Sequence, residues 1–164
     1  MKRLYLLRHA KSSWEERDIA DFDRPLNKRG RNAANLMGKL IAHRQFDIGT
    51  IVSSPARRAS DTAVIVRDII APGREIDFVD RIYEASPQAL SSVLSGIKEV
   101  SESALLVGHN PGMEGFIKLL TARNETMPTA ALAVIDLAVK KWSEIMPGCG
   151  TLVEVIRPKE QTSG

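Results

Sequence analysis

Short apolar runs alternate with longer stretches of helical period along this chain, and that alternation restricts the fold more than any other feature. Leu4 to Leu7, Thr50 to Ser53, Ile76 to Val79 and Ala104 to Val107 are too short for helices and read as strands. The segments between them carry apolar residues on one helical face. Asn27 is placed to cap a helix running to about His43, with Ala33, Met37, Leu40 and Ile41 as its buried stripe. Ser54-Pro55 supplies an N-cap and an N1 proline for a second helix to about Ile70. Ser86-Pro87 opens a third to about Val100, and Asn110-Pro111 caps a fourth to about Thr121. Ala130 to Leu137 and Thr151 to Ile156 read as two further strands, a hairpin turning through Pro147-Gly148. This order predicts a three-layer α/β/α sandwich around a mostly parallel sheet, with Leu4 to Leu7 and Leu105 to Val107 as central strands buried on both faces.

A length of 164 residues and an apolar content of 43% suit one sizeable core, so a single domain over 1–164 is expected, its polar tail from Pro158 frayed. The lone Cys149 has no partner for an internal disulfide and sits in a Pro-Gly-Cys-Gly setting without metal-ligand spacing, which fits a reducing, cytoplasmic location. Lys2 and Arg3 precede only four apolar residues before Arg8, too few for a secretion signal, and no run reaches membrane-spanning length. The net charge of +3 is spread along the chain without aromatic interleaving, so neither nucleic acid nor a membrane is an expected partner. A small anionic substrate needs no more positive charge than this.

Chemistry is suggested at the strand ends. In an open α/β sheet, ligands bind beyond the carboxyl ends of the strands, and the first strand ends in Arg8-His9, a cation beside an imidazole. Arg57 and Arg58 fall in the first turn of the second helix, where positive side chains are unfavourable unless an anion lies between them and the helix end. His109 follows Gly108 where the fourth strand becomes a helix. Three basic elements at strand ends, Arg8-His9, Arg57-Arg58 and His109, predict one pocket for a phosphate-sized anion. Glu84, on the loop before the third helix, reads equally as a surface carboxylate or as part of that site. His43, near a helix end, reads as exposed.

Three motifs, Leu-Arg-His-Ala, Ser-Pro-Ala-Arg-Arg-Ala-Ser-Asp-Thr-Ala and Gly-His-Asn-Pro-Gly, stand in this order from Leu7 to Gly112. Through them the chain resembles the histidine phosphatase superfamily, also called phosphoglycerate-mutase-like, and within it the short SixA-type phosphohistidine phosphatases. The resemblance spans Arg8 to about Ile156. It implies that His9 is a nucleophile that becomes transiently phosphorylated, that Arg8 and Arg58 bind the phosphoryl oxygens, and that His109 completes the pocket. The Arg-Ala dipeptide of the family selects Arg58 over Arg57. The usual first motif is Arg-His-Gly, and Ala10 departs from it by one methyl group. Larger members place a leaving-group acid where Glu84 stands, and Arg24 matches a recurring arginine of the small phosphatases at the pocket mouth.

The implied substrate is a phosphorylated protein, with the phosphoryl group on histidine, or a small phosphate ester. No metal or cofactor is expected: an in-line nucleophile surrounded by positive charge suffices for phosphoryl transfer, and the sequence carries neither a Gly-rich phosphate loop nor a magnesium-type carboxylate cluster. The two arginines should also disfavour the imidazolium form of His9. The alternatives are a general phosphomonoesterase, a mutase-like phosphotransferase and a non-catalytic phosphoprotein binder. A mutase needs a lid, for which Ser12 to Pro25 is the one sizeable loop, and a binder needs the arginines but not His9.

Overall fold

The computed structural model describes residues 1–15 and 18–159. Residues 16–17, within the loop read from Ser12 to Pro25, and residues 160–164 of the polar tail lie outside the described residues.

The apolar runs form one six-stranded sheet. Its strands are β1 (Lys2–Arg8), β2 (Thr50–Ser53), β3 (Asp77–Phe78), β4 (Ser103–Gly108), β5 (Leu132–Leu137) and β6 (Gly150–Ile156), in the spatial order β3-β2-β4-β1-β5-β6. The strands β3, β2, β4 and β1 run parallel, whereas β5 is antiparallel to β1 and to β6. Leu4 opposite Ala104 and Leu7 opposite Val107 fix the central register.

The helices are α1 (Lys28–His43), α2 (Arg57–Ile70), α3 (Pro87–Ser95) and α4 (Gly112–Thr121). Alternation along β1 assigns its side chains to two cores. Leu4 and Leu6 pack with Leu90 and Leu94 of α3 and with Met113, Phe116 and Leu120 of α4. Tyr5 and Leu7 pack with Ala34, Met37 and Ile41 of α1 and with Ala59, Ala63 and Val66 of α2. The sheet is therefore the middle of three layers, and β1 and β4 are its central strands, as the continuous apolar runs require.

Several boundaries differ from expectation for local reasons. Asn27 and Ser86 cap α1 and α3 as read, accepting from the Gly30 and Ala89 amides. Ser54-Pro55 does not open α2, which starts at Arg57 without a side-chain cap, because the Ser54 side chain turns towards His109. Helix α3 stops at Ser95 and not near Val100, since Gly96 closes its last turn with its amide on Val93 and Leu94 carbonyls. Helix α4 starts at Gly112, and Asn110 supports it from two residues upstream by accepting from the Glu114 amide. The third strand shrinks to two exposed residues at the sheet edge. Strand β5 begins at Leu132, since Ala130 is in a left-handed turn with φ 64° and donates its amide to the Arg8 and His9 carbonyls. The β5 to β6 hairpin includes a short 3-10 helix, Trp142–Glu144, ahead of the expected turn at Gly148.

Candidate functional site

The site forms where β2, β4 and β1 end side by side. Backbone pairing continues one residue past the strands: Ser54 donates to the Val107 carbonyl and His9 to the Gly108 carbonyl, both at 3.0 Å. Neighbouring strands lie about 4.8 Å apart, so residues at these ends share one small volume. The rings of His9 and His109 stand 5.1 Å apart between centroids.

The backbone chemistry fixes the His9 tautomer. Its Nδ1 lies 2.8 Å from the Ala10 carbonyl, which only accepts, so Nδ1 carries the hydrogen and Nε2 keeps its lone pair. Burial first, then the charges of Arg58 and Arg8, lowers the His9 pKa to about 4. The same burial, reinforced by His9 and Arg58, lowers that of His109 to about 3. Both rings are neutral near pH 7. The loop leaving β1 is tied to α2 by Thr62, whose Oγ1 accepts from the Ala10 amide at 3.0 Å and donates to the Arg58 carbonyl at 2.7 Å. On the other side, Gly30 lets the Lys11 carbonyl rest against α1, where a Cβ would overlap it.

Arg8 donates from Nη1 to the Met127 carbonyl at 2.9 Å, and burial pulls its guanidinium pKa down. Arg58 is buried beside the histidines, while Arg57 points outwards to Asp61. Arg58 gives Nη1 to the Asp21 carbonyl at 2.7 Å and Nη2 to the Asp21 carboxylate at 3.0 Å. Asp21 also accepts from Arg24 Nε and Nη2 on Oδ1 and from the Tyr83 hydroxyl on Oδ2 at 2.6 Å. These donors hold its pKa down at about 2, Tyr83 contributing most, and the same contact raises that of Tyr83 to about 12. Among the described residues, the buried nitrogens without a partner are Arg8 Nε, Arg58 Nε and His109 Nδ1, although buried polar groups are normally paired.

A cleft of about 550 Å³ opens beside Arg58 and His109, lined also by Asp21, Tyr83, Glu84 and Pro111; Arg8 and His9 are not among its lining residues. Glu84 is exposed on this wall with φ 56°, a left-handed conformation uncommon for a residue with a Cβ. Tyr83 stacks edge-on against His109 and against Phe22, at 5.5 and 5.2 Å between centroids. Arg24 stands one shell behind the wall. Its guanidinium holds Asp21 and Ser12 and lies 3.6 Å from the centroid of the Trp14 ring. His43 is exposed at the end of α1. Asp21 and Tyr83 escaped the sequence reading, whereas Ser54 and Thr62 stood inside the second motif without being assigned to the site.

Comparison with known proteins identifies the family and the fold. Residues 4–90 match the family model of the histidine phosphatase superfamily (branch 1). An uncharacterized protein of Mycobacterium tuberculosis is 30% identical over 158 residues, covering 90% of this chain and 96% of that protein. The crystal structure of a candidate phosphohistidine phosphatase SixA from Agrobacterium tumefaciens superimposes with a TM-score of 0.82 at 30% identity, over 96% of this chain and 98% of the other. The protein histidine phosphatase SixA complexed with tungstate gives 0.85 at 21% identity, over 98% and 99%, and shares the fold. The chain belongs to the histidine phosphatase superfamily, a membership that supports phosphatase activity.

Among the described residues no helix is long and apolar enough to cross a membrane, and no group of three or more His, Cys, Asp or Glu side chains gathers to hold a metal ion.

Proposed function

We propose that this protein is a phosphohistidine phosphatase that transfers the phosphoryl group of a histidine-phosphorylated protein first to its own His9 and then to water. The observation that carries the reading is the His9 ring itself. It is neutral, its Nδ1 hydrogen is committed to Ala10, leaving Nε2 free to attack, and it feels the charges of Arg58 and Arg8 and stands 5.1 Å from the His109 ring.

In the first step the Nε2 lone pair attacks phosphorus in line, a bond between phosphorus and His9 Nε2 forms, and the bond to the leaving group breaks. Arg8 and Arg58 take the equatorial oxygens as charge-assisted donors. Arg58 Nη2 exchanges part of its contact with Asp21 for the substrate. In the second step water attacks the phosphorus, the bond between phosphorus and Nε2 breaks with its electron pair returning to Nε2, and inorganic phosphate leaves. None of these roles calls for a metal ion, and activity is expected to survive chelation.

The substrate class follows from the leaving group. A phosphohistidine leaves as an imidazole that carries its own proton, so it makes little demand on an enzyme acid, whereas an alkoxide leaving group needs one worth roughly 10² to 10⁴-fold. The Agrobacterium relative described as a phosphohistidine phosphatase SixA supports this choice through its coverage of nearly the whole chain. One observation favours a phosphomonoesterase instead: the Glu84 carboxyl is on the cleft wall, where a leaving oxygen would need a proton.

Parallel assays of phosphate release from a phosphohistidine peptide, an alkyl phosphate ester and 3-phosphoglycerate separate these readings. The expected result is turnover of the peptide, with Glu84→Gln depressing the ester reaction by about tenfold or more and the peptide reaction much less. Equal losses of kcat/KM on the two, or a wild type active only on 3-phosphoglycerate, would overturn the assignment.

A further inference from the structure

Ser54 stands directly after β2 and is fully buried. Its hydroxyl oxygen has two neighbours within hydrogen-bond distance: the Ala56 amide at 3.2 Å and His109 Nε2 at 2.8 Å. The Ala56 amide can only donate, so it occupies an acceptor position on the oxygen. The hydroxyl hydrogen then needs an acceptor, and Nε2 is the one within reach.

The two tautomers of His109 differ in how many buried groups they leave unpaired. With the hydrogen on Nε2, the ring donates to Ser54, the Ser54 hydrogen has no acceptor, and Nδ1 becomes a buried lone pair. That lone pair would repel a phosphoryl oxygen. With the hydrogen on Nδ1, the Ala56 amide, the Ser54 hydroxyl and Nε2 are all satisfied, and a single N–H remains without a partner. That remaining group is a donor, and it belongs to the same cluster as the unpartnered Nε atoms of Arg8 and Arg58. Leaving a buried hydrogen-bonding group unpaired is costly, so the second arrangement wins.

We propose that Ser54 is a positioning residue for His109: its hydroxyl donates to Nε2, fixes the ring hydrogen on Nδ1, and so presents an N–H donor to a phosphoryl oxygen. The last clause rests on the phosphatase reading above, whereas the placement of the hydrogen does not. His9 and His109 then form a complementary pair. A backbone carbonyl holds the hydrogen of His9 on Nδ1 and frees Nε2 as a nucleophile, while a serine hydroxyl engages Nε2 of His109 and makes Nδ1 the donor.

The test begins on the unmodified protein, with long-range nitrogen–proton correlation spectra that assign the His109 tautomer at pH 7. The expected spectrum has a protonated Nδ1 and an unprotonated Nε2; a protonated Nε2 would overturn the proposal whatever the activity. Ser54→Ala should release the tautomer preference and lower kcat on a phosphohistidine peptide by about tenfold or more, the scale of one buried hydrogen bond, with a smaller change in KM. Ser54→Thr keeps the hydroxyl and should restore both the spectrum and the rate. A Ser54→Ala protein that melts like wild type and keeps full kcat would contradict the role. If the tautomer is as expected but wild type forms no phosphorylated His9, the phosphatase reading fails and the hydrogen placement stands.

Discussion

His9 and His109 are kept neutral by burial in a cluster of arginines, and this has a cost that depends on pH. Each ring has a folded-state pKa below the ordinary 6.5, at about 4 for His9 and about 3 for His109. The unfolded chain therefore binds more protons than the folded one between these values, and stability falls as pH falls through that window. Asp21 acts in the same direction further down: its pKa drops from 3.8 to about 2, so the stability its contacts give above 3.8 is lost as pH falls towards 2. The expected result is a urea midpoint that is flat above pH 6.5 and declines steadily below it. The double variant His9→Gln, His109→Gln should lose most of the decline between pH 6.5 and 4. A midpoint unchanged over that interval in the wild type would contradict the buried, neutral pair.

At the scale of elements, the site depends on how the loop leaving β1 is wedged between two helices. Thr62 on α2 holds the Ala10 amide, and Gly30 on α1 accommodates the Lys11 carbonyl, whose oxygen also accepts from the Asn27 amide at 3.0 Å. A methyl group at Gly30 would overlap backbone and not a flexible side chain, so the loop must move. Gly30→Ala is accordingly expected to destabilise the protein by about 1–3 kcal/mol, despite the better helix propensity of alanine. An unchanged or raised melting temperature would show that the loop yields without cost. This contact was invisible in the sequence, where Gly30 stands in an ordinary helical run. The start of α2 was misread for a related reason: Ser54-Pro55 has the composition of a helix cap, and only the third dimension shows its hydroxyl engaged by His109. Caps that act locally, at Asn27 and Ser86, were legible because their partners are three residues away.

For the whole molecule, the sheet order builds the candidate site. Placing β4 between β2 and β1 brings three strand ends together, and thereby gathers Arg8, His9, Arg58 and His109 from segments a hundred residues apart. The layers and the central strands could be read in advance, since a strand buried on both faces must be apolar at every position. Arg8, His9 and His109 attracted notice because each stands at the junction of an apolar run with a turn, whereas Arg58, inside α2, was singled out from Arg57 through resemblance. Asp21 and Tyr83 were not legible: their partners lie on other loops, and no local pattern distinguishes Asp21 from its neighbours Asp18 and Asp23. Glu84 and Arg24 were picked out through resemblance. Glu84 lines the cleft, and Arg24 reaches it through Asp21.

The central claim is that His9 Nε2 accepts the phosphoryl group, and it is tested most directly by trapping the enzyme during turnover. Wild-type protein mixed with a phosphohistidine peptide and quenched in alkali should show one phosphorylated residue, His9, with a phosphorus NMR signature of substitution at Nε2. The signal should be absent from His9→Ala, which should fold normally and lack turnover. Phosphorylation at Nδ1 or at another residue, or a His9→Ala variant that retains full turnover, would contradict the account.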